Sequence, residues 1–472
     1  MKVLHVPFCF YPGPVGGTEV YVEGLSRELQ RLGIACVVAA PSDQDDAYEH
    51  RGIPVRRYVI DSQPQALREL YGQGDVRAAN GFKRILAIER PDIVHLHAFT
   101  RGVSLRAVRM AKAQGIPVVF TYHTPAVSCQ RGTMMQWGIK PCRGIMDLHT
   151  CARCTLHGLF QRPLGSMQTR SGLRDIPIKV LGHAVGSLPP AFGARLGQFD
   201  LEGGHWTALR MTELHQLRHA TVRSLFAEVD HVIAVCQWVW DVLISNGVPP
   251  HKISLCRQGV MEGAESGEPN PERFSTKPHS PLQIAFVGRL DPTKGVDILI
   301  QSLRLIPDAP LRLVIYGVAQ GEEGRDYEKR LRHLAAPDKR IEFHAPVPSS
   351  KITSTLRDYD LLAAPSQCLE TGPLVVLEAF AAGTAVIGSR IGGIAELVRD
   401  GFDGVLLEAA NIREWANAAH RLSEDRNLVN YLRRNIISPR KSSTVANEMA
   451  VLYERVLSRS RHRRASPVSI PD

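Results

Sequence analysis

The sequence lacks long hydrophobic runs and lacks the cysteine density of a secreted disulfide scaffold. No uncharged apolar stretch in the 472 residues reaches the roughly 18 residues that a transmembrane helix requires. Nine cysteines are too few for a secreted disulfide scaffold, and Pro7 interrupts the N-terminal run MKVLHVPFCF too early for a good signal peptide. These absences predict a cytoplasmic protein. Its ordinary share of apolar residues, 44%, excludes wholesale disorder.

Acidic residues are fewer than basic ones, and the difference is concentrated in one stretch. The chain has 57 Lys and Arg against 47 Asp and Glu, a net charge of +10. Residues 101–180 contain twelve of the cations and only two acids, a difference equal to the net charge of the whole chain. We expect this stretch to face an anionic membrane peripherally, or an acidic binding partner, with a solvated basic surface as the alternative. Nucleic acid is disfavoured because aromatic residues are not interleaved with these cations.

Short apolar segments of strand length alternate with helical periodicity along both halves of the chain. They lie at 3–6, 36–40, 92–99, 117–123 and 231–236 in the first half, and at 283–288, 312–317, 341–346, 360–365, 385–389 and 404–407 in the second. This alternation is typical of parallel α/β domains. Given the length, it predicts an α/β protein with two Rossmann-like, doubly wound domains that face each other across a cleft.

Composition marks the predicted domain boundaries. The stretch 261–280 is rich in Gly, Pro, Glu and Ser and is predicted to be a linker. It separates an N-terminal Rossmann-like domain, 1–260, from a C-terminal one, 281–458, which is followed by a basic disordered tail at 459–472. Residues from about 125 to 206 have few strand signals and contain a cysteine cluster, so they are treated as an insertion into the first domain.

Gly16 and Gly17 form the first candidate binding turn, where the first strand leads into a helix. Paired glycines permit close approach of a ligand to the backbone, and the helix N-terminus offers amide groups and the positive end of a dipole. An ordinary strand-to-helix turn is the alternative. The turn is not a GxGxxG fingerprint, so a dinucleotide site is poorly supported.

Arg289 and Lys294, in FVGRLDPTKGVD, form the second candidate. They follow a predicted strand and precede a helix, which places them at the ligand-binding edge of the second sheet. A guanidinium fork and an ammonium group suit a diphosphate. A solvated loop in which these cations pair with Asp291 or Asp297 is the alternative.

The segment QCLETGPLVVLEAFAAGTAVIG holds the third candidate. Gly372-Pro373 is predicted to start a helix, with Glu370 in the loop before it and Glu378 in its second turn. Amides of a first helical turn suit a phosphate, and carboxylates suit sugar hydroxyls. A capping and a surface glutamate are the alternative. The helix is almost wholly apolar, however, so Glu378 needs a partner, which favours a functional role.

These three motifs together resemble the family 4 glycosyltransferases of the GT-B fold. The resemblance rests on GGTE, GRLDPTKGVD and ETGPLVVLEAFAAGTAVIGSRIGGIAELV, and it covers most of the chain apart from the insertion and the tail. It implies a retaining hexosyltransferase that moves a sugar from a nucleoside diphosphate to a glycan, lipid-linked or small-molecule acceptor. No cofactor or catalytic metal is then required. The first domain becomes the acceptor domain and the second the nucleotide-sugar-binding domain.

The resemblance also implies roles for residues of the second domain. Arg289 and Lys294 match the clamp on the diphosphate, Glu378 the residue that holds the ribose, and Glu370 the carboxylate that contacts the donor sugar. The chemistry agrees, because cations and a helix N-terminus can neutralise the leaving diphosphate electrostatically. In similar enzymes the leaving phosphate is thought to take the acceptor proton, so no dedicated base is expected.

In the first domain, the resemblance implies two further sites. Gly16 and Gly17 match the loop that closes on donor and acceptor. His123, in TYHTP, matches a histidine in the cleft. For this strand-end histidine, a satisfied group of the core is the alternative interpretation.

One position departs from the family pattern. The family has Phe-Gly where this chain has Gly372-Pro373. Pro373 has no backbone N–H, so one possible contact to a phosphate is absent. Thr371 and Leu374 keep their amides and remain candidates for donor binding.

Four cysteines of the insertion fall within 26 residues: Cys129, Cys142, Cys151 and Cys154. The CxxC formed by the last two can supply half of a tetrahedral zinc site. The spacing of the first two is wider than a second CxxC, and His149 and His157 are possible substitute ligands. We expect a structural zinc ion, with free thiols or a redox-active CxxC as alternatives.

Two other functions remain open on the sequence. A nucleotide-sugar epimerase of similar two-domain shape would need no acceptor. The other is a non-catalytic binding protein stabilised by zinc. Such a protein would not need the residues that match the family motifs, so their presence argues against it: Arg289, Lys294, Glu370 and Glu378.

Overall fold

The computed structural model describes residues 1–13, 16–61, 67–160, 182–199, 204–261 and 280–465. The chain divides into two units. The first extends from the N-terminus to Arg257 and resumes at Ser442, and the second extends from Gln258 to Lys441. Each unit is built around its own sheet, which confirms the predicted pair of α/β domains.

The first unit contains a large, mostly parallel sheet. The strands are β1 Lys2–Val6, β2 Ala35–Ser42, β3 Asp46–His50, β4 Ile53–Val59, β5 Ile93–Leu96, β6 Val118–Tyr122, β7 Met135–Gln136, β8 Lys140–Pro141, β9 His231–Ala234 and β10 Ile253–Leu255. Eight of them form one sheet in the order β10-β9-β6-β5-β1-β2-β4-β3, in which only β3 runs antiparallel to its neighbour. The short strands β7 and β8 pair separately.

Both faces of this sheet are covered by helices. Its helices include α1 Gly17–Arg31, α2 Leu67–Tyr71, α3 Val76–Glu89, α4 Leu105–Ala113, α5 Leu148–Phe160, α6 Pro190–Gly197, α7 Gly204–Leu209, α8 Met211–Glu228 and α9 Gln237–Ser245. Side chains alternate along β1, so that Leu4 and Val6 join one apolar core while Val3 joins the other. The strand is therefore buried on both faces, as expected of a doubly wound sheet.

The predicted insertion lies in one long connection. Strands β6 and β9 are direct neighbours, so all residues between them connect two adjacent parallel strands. The connection contains β7, β8 and α5 to α7, and it returns to the sheet through the long helix α8. The part of this connection at 161–181 lies outside the described residues.

The second unit has a smaller, fully parallel sheet. Its strands are β11 Leu282–Arg289, β12 Leu311–Val318, β13 Ile341–His344, β14 Leu361–Ala364, β15 Ala385–Ser389 and β16 Gly404–Leu407. They lie in the order β13-β12-β11-β14-β15-β16. The helices are α10 Val296–Arg304, α11 Gly321–Ala335, α12 Ile352–Leu356, α13 Leu374–Ala382, α14 Gly392–Leu397, α15 Ile412–Glu424 and α16 Arg426–Arg434. Two cores again flank the sheet, because Ile284 and Phe286 face one core and Ala285 the other.

The C-terminal helix corrects the predicted domain limits. Helix α17, Ser442–Ala465, belongs to the first unit, whereas the sequence placed residues up to 458 in the second domain. It packs on α1 and contributes Met449, Leu452 and Tyr453 to a core of the first unit. The predicted disordered tail at 459–472 is also wrong in part, because its first seven residues continue this helix. Residues 466–472, and 262–279 of the predicted linker, lie outside the described residues.

Candidate functional site

Lys294 and Glu370 form a close ion pair at the carboxyl end of the second unit's sheet. Lys294 ends a short 3-10 turn, Pro292–Lys294, after β11, and Glu370 lies in the loop after β14. Lys294 Nζ donates to Glu370 Oε1 at 2.5 Å, and Ser366 Oγ donates to the same oxygen at 2.8 Å. The two side chains are only 23% and 16% exposed. Two residues that are widely separated in the sequence therefore meet in a shielded place at this edge of the sheet.

The mutual attraction of this pair outweighs the cost of burying it. Burial alone favours the neutral forms, but the attraction of Glu370 dominates and raises the pKa of Lys294 above its usual range. Burial likewise disfavours the Glu370 carboxylate, yet Lys294 and the hydrogen bond from Ser366 lower the pKa of Glu370. Both side chains are thus charged at neutral pH.

Arg289 provides a second positive charge beside the pair. It is the last residue of β11 and is exposed. Its positive charge contributes to lowering the pKa of Glu370, so it lies within electrostatic range. Among the described residues, Arg289 has neither an ion pair nor a side-chain hydrogen bond. Its guanidinium is therefore available to an anion.

Two glycines allow the loops of this site to pack closely. Gly295 has φ +67°, and a Cβ there would lie 2.0 Å from the carbonyl oxygen of Pro365. A Cβ on Gly393 would lie 2.7 Å from the carbonyl oxygen of Glu370, which accepts the Gly393 N–H at 2.6 Å. Only glycine fits these positions, so the TKG and IGG segments fix the loops that carry Lys294 and Glu370.

Helix α13 starts beside these loops. Pro373 is its N-cap and Leu374 is its first residue, so the helix begins just after the predicted start at Gly372-Pro373. The first-turn amides of α13 and its dipole favour a phosphate group. Thr371 is buried and Gly372 is half-buried in the loop that precedes the helix.

Glu378 lies in the second turn of α13 without a balancing charge. The described residues offer it no hydrogen bond or ion pair. Burial raises the pKa of Glu378 to about 7. A carboxyl group poised in this way can accept hydrogen bonds from sugar hydroxyls, which is the role that the family resemblance implies.

In the first unit, Gly16 and Gly17 lie at the start of α1. Gly16 is the N-cap, and its N–H donates to Glu19 Oε2 at 2.8 Å. The buried carboxylate of Glu19 thus occupies one backbone donor of the turn. Residues 14 and 15, which precede the turn, lie outside the described residues.

His123 belongs to a buried chain of imidazoles that the sequence interpretation missed. His97 Nδ1 lies 3.1 Å from His123 Nε2, and His97 Nε2 lies 3.0 Å from His5 Nδ1. The aromatic ring of Tyr21, from α1, lies edge-on to His123 at 4.8 Å. His5 belongs to β1, while His97 and His123 follow β5 and β6, so the carboxyl edge of the sheet brings them together. The HLH spacing in DIVHLHAF, which aligns His95 with His97 on one strand face, was the available signal.

Burial keeps these histidines neutral. It lowers the pKa of His5 and of His123 to about 3, and those of His95 and His97 well below the usual value. In a chain of neutral imidazoles each ring donates from one nitrogen and accepts at the other, so the tautomer of His97 fixes that of His123.

The same cluster is also the one group of potential metal ligands, among the described residues, whose donor atoms lie within 4.8 Å of one another: His5, His95 and His97. Both nitrogens of His95 are engaged, with Tyr453 Oη at 2.6 Å and Thr121 Oγ1 at 2.7 Å. Both nitrogens of His97 are engaged as well, and only Nε2 of His5 has no partner. The arrangement is therefore a hydrogen-bonded network.

The four clustered cysteines converge in the first unit. They line one small cavity together: Cys129, Cys142, Cys151 and Cys154. Burial raises the pKa of Cys151 to about 12 and also raises that of Cys142. His149 and His157, the suggested substitutes, do not line this cavity, whereas His215 does.

Comparisons with known proteins match both units. The family described as "Glycosyltransferase Family 4" matches residues 15–261, and that described as "Glycosyl transferases group 1" matches residues 269–438. A D-inositol 3-phosphate glycosyltransferase of Stackebrandtia nassauensis is 35% identical over 88% of this chain and 80% of its own length. One from Arthrobacter sp. is 31% identical over 88% of this chain and 83% of its own. The match to the Corynebacterium glutamicum protein, at 32% identity, spans only 39% of this chain and 46% of that protein.

Solved structures give the same fold. Sucrose-phosphate synthase from Thermosynechococcus elongatus aligns with a TM-score of 0.63 at 16% identity, over 97% of this chain and 99% of that one. Anabaena HepE in complex with UDP and glucose aligns with a TM-score of 0.60 at 17% identity, over 96% and 99%.

The two α/β units and the solved structures of the same fold define the GT-B fold class. The chain belongs to glycosyltransferase family 4. It is therefore a transferase, and the epimerase and the non-catalytic binding protein are set aside. Within the described part of the chain, no helix combines the length and apolar character that crossing a bilayer requires.

Proposed function

We propose that this glycosyltransferase moves a hexosyl group from a nucleoside diphosphate sugar to a glycan, lipid-linked or small-molecule acceptor, with retention of anomeric configuration. The observation that carries the proposal is the shielded Lys294–Glu370 pair, with Arg289 beside it and the N-terminus of α13 nearby. This combination offers positive charge for a diphosphate and a carboxylate for a sugar at one sheet edge.

In this proposal the donor is held by residues of the second unit. Lys294 and Arg289 neutralise the charge that develops on the diphosphate as it leaves, and the α13 amides add a fixed dipole. Glu370 accepts hydrogen bonds from hydroxyls of the donor sugar, and Glu378 from those of the ribose. Because these groups supply the electrostatic stabilisation, the reaction needs no catalytic metal.

Relatives support a nucleotide-sugar donor. Anabaena HepE, which shares the fold, is described in complexes with UDP and with UDP-glucose. The curated relatives are named D-inositol 3-phosphate glycosyltransferases, so a hydroxyl on a small phosphorylated polyol is one acceptor to test.

Retention follows if the leaving phosphate takes the proton of the acceptor hydroxyl on the same face of the sugar. The C–O bond to the diphosphate breaks, the bond to the acceptor oxygen forms, and the proton passes to the departing phosphate oxygen. No protein nucleophile takes part, so the paired carboxylates of retaining hydrolases are not required. His123 stays neutral and assists as a hydrogen-bonding group.

A product analysis tests this proposal. The purified chain is incubated with UDP-, GDP- and ADP-hexoses and with inositol phosphate or glycan acceptors, and the anomeric signals of the product are followed by NMR. We expect one of the three nucleotide series to give an α-linked product from an α-linked donor. The Glu370→Gln variant should not form this product. A product of inverted anomeric configuration would refute retention. If the chain neither transferred nor hydrolysed the sugar of any of these donors, the proposal of a nucleoside diphosphate sugar donor would be refuted.

We also propose that the protein works in the cytoplasm at the surface of an anionic membrane, through part of the segment 101–180. Lys140 and Arg143 are exposed without ion pairs among the described residues, and they lie between Ile139 and Ile145, which are 69% and 53% exposed. Exposed basic and apolar side chains together suit an anionic bilayer surface.

Vesicle co-sedimentation tests the membrane contact. We expect binding to phosphatidylserine-containing vesicles that weakens with salt and in the double variant Lys140→Glu/Arg143→Glu. Lys329→Glu, at an exposed lysine of the second unit, serves as the control. Equal binding to neutral and anionic vesicles would contradict the proposal.

A further inference from the structure

The cysteine cluster of the first unit is independent of the proposed donor site. The four cysteines line one cavity of about 50 Å³ and form no disulfide. They come from three segments: Cys129 follows the 3-10 turn Pro125–Val127, Cys142 follows β8, and Cys151 and Cys154 lie in the first two turns of α5. Four thiols from three segments thus line one small space, which supplies the number and type of ligands that a closed zinc site takes.

Backbone amides point at two of the sulfurs. The Trp137 N–H donates to Cys154 Sγ at 3.2 Å, and the Gly144 N–H donates to Cys142 Sγ at 3.4 Å. Hydrogen bonds of this kind favour a thiolate over a thiol and orient metal ligands. Gly144 has φ +74°, and a Cβ there would lie 2.3 Å from a methyl group of Val242, so glycine is needed to bring this amide to Cys142.

A guanidinium offsets negative charge at the cluster. Arg131 Nη1 lies 3.8 Å from Cys154 Sγ and donates to the carbonyl oxygen of the same residue at 3.2 Å. A tetrathiolate site around a divalent ion carries net negative charge, which a neighbouring cation stabilises.

The surrounding segment has little other structure to hold it. Strands β7 and β8 are two residues long each. The apolar cluster that packs beside α5 is small, consisting of Ala152, Leu156, Ala208 and Met211. Segments that cannot build a sufficient core are commonly braced by a metal ion.

We propose that Cys129, Cys142, Cys151 and Cys154 bind one structural zinc ion. Zinc suits the ligand set because it accepts four thiolates in tetrahedral geometry and has no redox chemistry. Each thiol releases its proton to solvent on binding. Among the described residues no three of these sulfurs lie within 4.8 Å of one another, so the site closes by rotation about χ1 of partly exposed cysteines.

Metal analysis of the full-length chain, purified with a tag that lacks histidine, tests the proposal. We expect about one equivalent of zinc per chain, as a closed four-ligand site requires. The double variant Cys142→Ser/Cys154→Ser should lose it. Cys36→Ala, which removes a buried thiol from an apolar core of the same unit, should retain it.

A second measurement covers the case in which the double variant fails to fold. The wild-type chain is exchanged with Co²⁺, and we expect the intense visible bands of tetrahedral cobalt together with thiolate-to-metal charge transfer. Four outcomes would each overturn the proposal. The chain could hold no zinc before or after reconstitution, or could form a Cys151–Cys154 disulfide. It could instead bind iron with inorganic sulfide, or the folded double variant could retain zinc. None of these outcomes bears on donor binding by the second unit.

Discussion

Glu370 and Glu378 flank the same helix start, yet their surroundings give them opposite properties. Lys294 offsets the burial of Glu370 and keeps it ionised. No charged group in the described part of the chain offsets the burial of Glu378, whose pKa rises to about 7. Of the two carboxylates proposed to contact the donor, only Glu378 therefore changes charge near neutral pH.

Donor binding should therefore depend on pH through Glu378. As the pH falls from 8 to 6 this carboxylate becomes protonated and a poorer acceptor, so we expect affinity for the sugar nucleotide to weaken by up to about tenfold. Glu378→Gln should remove this dependence, while Glu322→Gln, on the surface of α11, should keep it. Calorimetric titration between pH 6 and 8 measures both. A wild-type affinity independent of pH would contradict the assignment.

The same shift has a consequence for stability without ligand. Because the folded pKa of Glu378 lies above the unfolded value, the folded state binds the proton more tightly, and this contribution to stability is lost as pH rises through about 7. Glu378→Gln should raise the free energy of unfolding of the second unit at pH 8 relative to wild type.

His97 is expected to act as a positioning residue for His123. Replacement of His97 by Leu removes the contact between His97 Nδ1 and His123 Nε2, whereas the Asn amide lies at the position of Nδ1 and can restore part of that contact. We expect His97→Leu to lower kcat about tenfold, as loss of an orienting partner of a functional histidine does, with little change in the donor KM. His97→Asn should recover part of kcat, and His251→Asn, at an exposed site, should behave as wild type. A rise in donor KM alone would indicate a different role.

At the scale of elements, helix α17 completes the first unit. Tyr453 Oη lies 2.6 Å from His95 Nδ1, and both groups are fully buried. Tyr453→Phe leaves a nitrogen of His95 without its partner, which should cost about 1–3 kcal/mol of stability. Tyr431→Phe, at a tyrosine that is 46% exposed, is the control. Chemical denaturation of both variants decides, and equal stability would contradict a structural role for this contact.

Periodicity predicted the parallel strands well but not every element. Apolar segments such as CVVAA and HVIAVC sit on interior strands, where both faces are covered, so their pattern is strong. Strand β3, DAYEH, lies at the sheet edge and has no apolar run to mark it. The apolar face of α17 was visible, but a helical pattern does not indicate which of two cores it joins.

Part of the candidate site could likewise be predicted from the sequence, and part could not. The proximity of Lys294 and Glu370 could be predicted because both follow strands of the second unit, and the carboxyl ends of parallel strands meet at one sheet edge. The imidazole chain was missed because His5, His97 and His123 come from three strands, and only the sheet order brings them together. Long-range assembly of this kind leaves little local signal in the sequence.

Across the whole molecule, the basic surplus of residues 101–180 is partly neutralised by acids outside that segment. Arg109 pairs with Glu228 and Lys112 with Asp230, each at 2.7 Å. The charge excess along the sequence is thus larger than the excess at the surface, and the proposed membrane contact is limited to cations such as Lys140 and Arg143. The reaction itself depends on other residues.

The most direct test of the central claim is a binding screen of nucleoside diphosphate sugars against the wild type and Lys294→Met. The account predicts that one nucleotide series stabilises the wild type against thermal unfolding, and that Lys294→Met abolishes this stabilisation while Lys329→Met preserves it. Undiminished donor binding by a folded Lys294→Met variant, or no stabilisation of the wild type by any donor, would contradict the account.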